Sequence, residues 1–105
     1  MPKLYQYLGI TLFFYSNEHE PIHVHAKYEG KESKAEIHFF HGKISKIIIK
    51  DKGQGLDSKK RKDFEEFVNV YADEIVEKWV SYFVKKQPIA TKVITQRVKN
   101  VRNFG

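Results

Sequence analysis

The sequence predicts an α+β fold, in which an antiparallel four-stranded meander packs against one long C-terminal amphipathic helix, followed by a basic tail. Residues 22–29 and 33–40 alternate polar and apolar side chains, with the period of two that is typical of strands. Residues 57–86 change to apolar steps of three and four, which are typical of a helix. The 105 residues suffice for one domain with a single core.

The first predicted strand spans Tyr7–Tyr15 and is rich in aromatic and β-branched residues. Both of its faces are apolar, which favours a central position in the sheet. A polar loop at residues 16–20 follows. Pro21, which cannot donate a ladder hydrogen bond, suits the first residue of the next strand.

The second predicted strand, residues 22–29, has one apolar face, and its other face carries His23 and His25. This pattern predicts a half-solvated strand with both histidines pointing away from the helix. The third strand covers Ser33–Phe40, and a His41-Gly42 turn leads into the fourth, Lys43–Lys50. If the fourth strand is a sheet edge, its lysines would protect it; an unprotected edge leaves a strand-paired homodimer open.

The predicted helix begins at Asp57 or Ser58, either of which is a good N-cap, and Pro88 ends it. Trp79 belongs to its apolar stripe and is expected in the core. We therefore assign residues 1–88 to the domain and residues 89–105 to a basic tail that is either ordered or folds only on a partner. The pair Val93-Ile94 leaves open a short strand in this tail.

The net charge of +6 is unevenly distributed. Residues 1–77 carry 12 basic and 13 acidic side chains, whereas residues 78–105 carry seven basic ones and no acidic one. Such a segment can attract phosphates without reading sequence, or an acidic protein. The residues that we expect to bind nucleic acid or a partner are Lys85, Lys86, Lys92, Arg97, Lys99 and Arg102.

Composition excludes several classes of protein. The chain has no cysteine, so disulfides, cysteine zinc sites and thiol nucleophiles are excluded. The longest apolar run, Leu12–Tyr15, is too short to cross a bilayer. We therefore expect a cytoplasmic protein without a membrane contact. The chain also has no phosphate-binding glycine loop, no serine-hydrolase elbow and no zinc-protease helix motif.

The strongest motif is the H-x-H spacing of His23 and His25, which places two imidazoles on one strand face. Two such groups can exchange protons near neutral pH, so they are candidate catalytic residues for metal-free RNA cleavage. They can also share zinc or another transition metal, with His19 and His38 as further ligands. A third interpretation is a pair of structural histidines. A hairpin loop at Gly30-Lys31 would place His23 opposite His38.

The text from Leu12 to His25, LFFYSNEHEPIHVH, resembles a family of small bacterial proteins known as domain of unknown function 4160. Pro21, His23 and His25 match its P-x-H-x-H signature, and Trp79 matches a tryptophan near the end of its helix. The resemblance covers roughly residues 4–84. It implies no established activity, but it implies a small-protein partner and an association with toxin–antitoxin pairs.

From these observations we expect a small interaction protein that is one component of a toxin–antitoxin pair and binds a cognate small protein or nucleic acid. The first alternative is a histidine-dependent endoribonuclease that acts as the toxin. The second is a metal-binding module built on histidines.

Overall fold

A mixed six-stranded sheet forms one layer of the fold, and a single long helix covers one of its faces. The computed structural model describes residues 2–15 and 21–99. Its strands run in the order β5-β4-β3-β2-β1-β6 across the sheet. The elements are β1 (Lys3–Tyr7), β2 (Ile10–Phe13), β3 (Ile22–Tyr28), β4 (Lys31–Phe40), β5 (Lys43–Lys52), α1 (Ser58–Trp79), a π-helical turn (Val80–Val84) and β6 (Lys92–Ile94).

The expectation of four antiparallel strands is wrong in detail, first because the single strand predicted at Tyr7–Tyr15 is in fact part of a hairpin. β1 and β2 pair antiparallel on either side of a turn at Leu8-Gly9. Both turn residues have positive φ, 49° and 85°, as a tight hairpin turn of this length requires. Leucine is uncommon at positive φ, so residue preference gave little signal for a turn here.

The second difference is β6, which pairs parallel with β1 and places Tyr5 beside Lys92. The helix therefore crosses the sheet from the β5 edge to the β6 edge. The short strand that the sequence left open at Val93-Ile94 is present. Thr91 and Val98, on either side of it, bond to the Lys3 carbonyl and the Tyr7 hydroxyl at 3.1 Å each.

The helix begins as predicted, with Asp57 accepting a hydrogen bond from the Lys60 amide at 2.9 Å. Its α-helical part ends at Trp79, and a π-helical turn continues the chain to Val84. Trp79 is 5% exposed and packs in the core, as expected. Tyr5 and Tyr7 of β1 meet Phe67 of the helix at ring-centroid distances of 5.0 and 4.5 Å. No helix among the described residues is long and apolar enough to cross a membrane.

β5 is an edge strand, as the sequence suggested, and several features protect it. Its lysines alternate along the edge, and Ser45 is the extra residue of a bulge opposite His38 and Phe39. Arg61 donates to the Ile49 carbonyl at 3.2 Å, which occupies a hydrogen-bonding position on the strand. Charge, a bulge and a capping side chain each oppose pairing with a second copy of β5.

Candidate functional site on the outer sheet face

The face of the sheet opposite the helix, here called the outer face, carries three of the histidines that the sequence predicts as functional residues, His23, His25 and His38. The strand register aligns His25 with Phe13 on one side and Lys34 on the other, and Lys34 with Lys50. On β3, β4 and β5 this face carries six lysines, two carboxylates and three histidines: Lys27, Lys34, Lys43, Lys46, Lys50, Lys52, Glu32, Glu36, His23, His25 and His38.

His25 is buried on this face, with only 4% of its surface exposed. Its ring stacks on Phe13 with centroids 5.5 Å apart and meets the edge of Tyr15 at 4.4 Å. Its Nδ1 lies 3.4 Å from Oε2 of Glu32. His25 is therefore enclosed by aromatic rings and has a carboxylate as its polar neighbour.

His23 is also buried, at 9% exposure. Its Nδ1 donates to the carbonyl oxygen of Pro21 at 2.6 Å, which fixes the ring at the start of β3. The ring lies 5.7 Å from Trp79 and 5.2 Å from His25. The prediction of a half-solvated histidine face is wrong, because aromatic rings from β2, the residues after it and the helix end cover both imidazoles.

The predicted pairing of His23 with His38 is also wrong. The turn between β3 and β4 lies at Glu29-Gly30, one residue earlier than predicted, so every pair along the hairpin changes by two positions. His23 faces Glu36, and His25 faces Lys34. A change of two positions keeps each side chain on its face, so the histidines still share the outer face.

Glu32 lies at the centre of a hydrogen-bonded group that the sequence analysis missed. The hydroxyl of Tyr15 donates to Glu32 at 2.8 Å, and Lys52 Nζ donates to that hydroxyl at 3.1 Å. Lys52 Nζ is also 3.5 Å from the Glu32 carboxylate. These contacts raise the pKa of Lys52, and the hydrogen bond with Tyr15 contributes most. The negative charge of Glu32 is thus compensated within the face.

Glu36 lies in a second group of the same kind. His38 Nε2 donates to it at 3.1 Å, and Lys50 and Lys34 place their Nζ atoms 3.3 and 3.7 Å away. Desolvation acts to raise the pKa of Glu36, but the hydrogen bonds from His38 and Lys50 and the two lysine charges outweigh it, so the pKa lies below its ordinary value. Glu36 remains a carboxylate near neutral pH and holds His38 in place.

His38 is the histidine of this group whose side chain is substantially exposed, at 32%. It also lines a cleft of about 440 Å³ beside the β4–β5 turn, together with Pro21, Ile22, Ile37, Phe39 and Gly42. An imidazole that is oriented by a carboxylate and opens on a cleft has the geometry for proton transfer.

The proposed metal ligands do not form a metal site among the described residues. In residues 2–15 and 21–99, no three histidine, aspartate or glutamate side chains come together to hold an ion. His38 Nε2 is engaged by Glu36, the cross-strand neighbour of His23. His19 lies outside the described residues, so the four-histidine zinc site stays a prediction.

The cations of the predicted basic tail are separated by the fold. Lys92 Nζ lies 3.7 Å from Glu74, and Arg97 contacts Asp63 at 2.6 Å and Glu66 at 3.9 Å, all on the helix. These two side chains hold the tail against the helix. Of the remaining positions, Lys85, Lys86 and Lys99 are exposed, and Arg102 lies outside the described residues.

A row of cations occurs instead on β5, where Lys43, Lys46, Lys50 and Lys52 are all exposed on the outer face, with Ile48 between the second and the third. From the sequence, these lysines were expected only to protect a sheet edge. Simple alternation in KISKIIIKDK already places Lys46, Lys50 and Lys52 on one face, and the bulge at Ser45 brings Lys43 to the same face. A bulge has no reliable sequence signal.

The fold and the site define a class of protein: a small α+β domain whose sheet has a helix on one face and an exposed lysine- and histidine-bearing face on the other. No curated protein and no solved structure matches the chain. The model of one family, a domain of unknown function named DUF4160, matches residues 9–80. The chain belongs to the DUF4160 family, which confirms the resemblance.

Proposed function

We propose that this chain is a small interaction protein that binds a polyanionic partner on its outer face and serves as one component of a toxin–antitoxin pair in the cytoplasm. The toxin–antitoxin role rests on the family resemblance, within which the P-x-H-x-H stretch of Pro21, His23 and His25 would be the shared feature. The partner class rests on the charge of the outer face.

One observation carries this proposal: the outer face has an uncompensated positive charge. Its two carboxylates, Glu32 and Glu36, are each 10% exposed and already contact lysines of the same face. Lys43 and Lys46 are exposed at the other end of β5, where their cross-strand neighbours are Phe40 and His38 rather than a carboxylate of this face. Lys43 also lines a cleft with the helix carboxylates Asp73 and Glu77, whereas Lys46 lies outside that cleft. A surface of one sign attracts partners of the other sign and accelerates their association.

The histidines have a structural role in this proposal. His23 and His25 fill the space between the aromatic rings and the carboxylates, so they fix the positions of Glu32 and Glu36. Of the two, His25 contacts a carboxylate directly, Glu32, whereas His23 lies across from Glu36 in the strand register. Glu36 and Glu32 in turn contact Lys50 and Lys52. The P-x-H-x-H stretch would thereby support the binding surface without itself contacting the partner.

Chromatography on a heparin resin tests the proposal, since heparin is a polyanion without sequence. The double variant K43E/K46E should elute at clearly lower salt than the wild type. The matched control is K59E/K62E, which makes the same change in net charge at exposed positions of the first helical turns, where acidic residues suit the helix dipole. Equal shifts for both variants, or no retention of the wild type, would contradict a binding site on the outer face.

The second candidate function is a histidine-dependent ribonuclease, and the pairing of His38 with Glu36 beside a cleft favours it. His23 and His25, the predicted catalytic pair, are buried. His41 is exposed in the β4–β5 turn, whereas His38 is the partly exposed imidazole that a carboxylate orients. If the chain cleaves RNA, cleavage should persist in chelator and be lost in His38→Ala or His23→Ala. Intact RNA after prolonged incubation with the wild type would exclude this function.

A further inference from the structure

We propose that the polyanion is a single-stranded nucleic acid, whose backbone follows the lysine row of β5 while a base stacks on Phe40 at the tip of the β4–β5 hairpin. This inference rests on the proposed function, because it names the partner that the outer face would bind.

The first supporting observation is the exposure of Phe40. Its side chain is 65% exposed, although phenylalanine is among the residues most often buried. Phe40 pairs with Lys43 across the hairpin, which puts it on the outer face beyond His38. Phe39, its neighbour, lies on the opposite face. There it lines a cleft between the β4–β5 turn and the helix, together with Val76. Phe40 is therefore an aromatic ring that the domain presents to solvent at the end of its basic face.

The second observation is that this ring is already held in place. The rings of Phe40 and His41 stack with their centroids 4.0 Å apart and their planes 17° from parallel. His41 and Gly42 form the tight turn, with φ of 53° and 77°. Ser45, at the bulge, donates to the His38 carbonyl at 3.2 Å and ties the base of the turn. A fixed aromatic surface loses little conformational entropy when a base stacks on it.

The third observation is the arrangement of charge beside the ring. Lys43 and Lys46 lie next to it, and Lys50 and Lys52 continue the row along β5. A ten-residue strand extends about 33 Å, long enough to contact several nucleotides. A positive track joined to an aromatic platform is the combination by which proteins bind single strands without reading sequence.

Two competing partners fit these observations less well. An acidic protein would use the lysines but has no need of an exposed ring pair. Duplex nucleic acid would also use the lysines, but its bases are stacked inside the helix and cannot cover Phe40. The exposed ring of Phe40 therefore favours a single-stranded nucleic acid, whose unpaired bases can stack on it.

The experiment measures fluorescence anisotropy of a labelled 12-nucleotide oligouridylate and of a 12-base-pair duplex, with the full chain. Phe40→Ala should weaken binding of the single strand by about 5- to 100-fold, the usual cost of losing one base-stacking ring. Phe40→Tyr should bind like the wild type, because the ring is retained. Duplex binding should be indifferent to both substitutions. Since Phe40 is mostly exposed, neither variant should lower the melting temperature appreciably.

The outcomes separate this inference from the proposed function. If K43E/K46E weakens binding but Phe40→Ala does not, the face binds charge alone and the stacking site is wrong. If poly-glutamate displaces the oligonucleotide at equal charge, the partner is an acidic protein. If neither the oligonucleotide nor heparin binds at low salt, the proposed function fails as well.

Discussion

Glu36 shows how much of the outer face depends on one carboxylate. Its side chain is 10% exposed and contacts His38, Lys50 and Lys34. Partial burial opposes ionisation, yet the three cationic or donating neighbours lower the pKa. Because the folded-state pKa lies below the unfolded value, ionised Glu36 stabilises the native state at neutral pH, and this contribution is lost as the pH falls through the folded-state pKa.

We therefore expect Glu36→Gln to lower the free energy of unfolding by about 1 kcal/mol at pH 7, a value reduced for the solvent screening of its half-exposed lysine partners. The difference from wild type should shrink as the pH falls below the ordinary glutamate pKa and through the lower pKa of the native carboxyl. Urea titrations at a series of pH values measure it.

Glu29→Gln is the matched control, since Glu29 is exposed in the β3–β4 turn. It should leave stability nearly unchanged at every pH. A wild-type advantage over Glu36→Gln that grows on acidification would contradict the sign of the pKa shift.

The face of each histidine was predictable, but its burial was not. Strict alternation along β3 fixes His23 and His25 opposite Val24 and Ala26, and this holds in the structure. Whether a polar side chain is covered depends on residues far away in the sequence, here Phe13, Tyr15 and Trp79. Single-strand periodicity contains no information about such covering side chains.

Among the elements, the connection between β5 and the helix has a structure that its sequence, rich in glycine, does not reveal. Asp51 accepts a hydrogen bond from Ser33 Oγ at 3.0 Å and pairs with Arg61 at 3.2 Å. Ser33 Oγ in turn accepts from the Leu56 amide at 3.1 Å. Gly55 comes so close to Asp51 that a Cβ there would overlap its side chain.

Gly55→Ala should therefore destabilise the protein by about 1–3 kcal/mol, from positive φ together with displacement of Asp51. Gly53→Ala provides the comparison, because Gly53 also has positive φ, 64°, but has open space around it. It should cost clearly less. Chemical denaturation of both variants makes the test; equal losses would mean that the contact with Asp51 has no role.

Hairpin turns limited the prediction of the remaining elements. The His41-Gly42 turn was found from sequence, whereas the Leu8-Gly9 turn was hidden inside an apolar run and the Glu29-Gly30 turn was misplaced by one residue. All three share a glycine at the second turn position. The residue before the glycine takes positive φ in each case, and only the tertiary structure fixes which residue that is.

At the scale of the whole molecule, the segment after the helix is part of the fold. β6 extends the sheet beside β1, and Lys92 and Arg97 contact the helix acids Glu74 and Asp63. The sequence left open whether this basic tail is ordered, because a count of charges does not show which acids lie opposite. Glu74 and Asp63 lie beside the segment only because the helix crosses the sheet from the β5 edge to the β6 edge.

Removal of residues 89–105 should lower the melting temperature by more than about 8 °C, since losing a paired strand costs a few hydrogen bonds and each kcal/mol shifts a small domain by several degrees. A full-length variant with Lys99 and Arg102 changed to Gln loses charge but keeps the strand and the contacts of Lys92 and Arg97 with the helix, and it should melt much closer to the wild type. Calorimetry of the two distinguishes strand loss from charge loss. A truncated chain that melts like the wild type would contradict this account.

The pairing of β6 with β1 also has a consequence for biosynthesis. The Thr91 hydroxyl donates to the carbonyl of Lys3, 88 residues earlier. The backbone hydrogen-bonding groups on that edge of β1 therefore lack their partners until the intervening residues have been synthesised. Contacts so distant along the polypeptide form slowly and leave nascent strands open to wrong neighbours. A chaperone that shields β1 during translation would therefore raise the yield of native molecules more than one that acts after release.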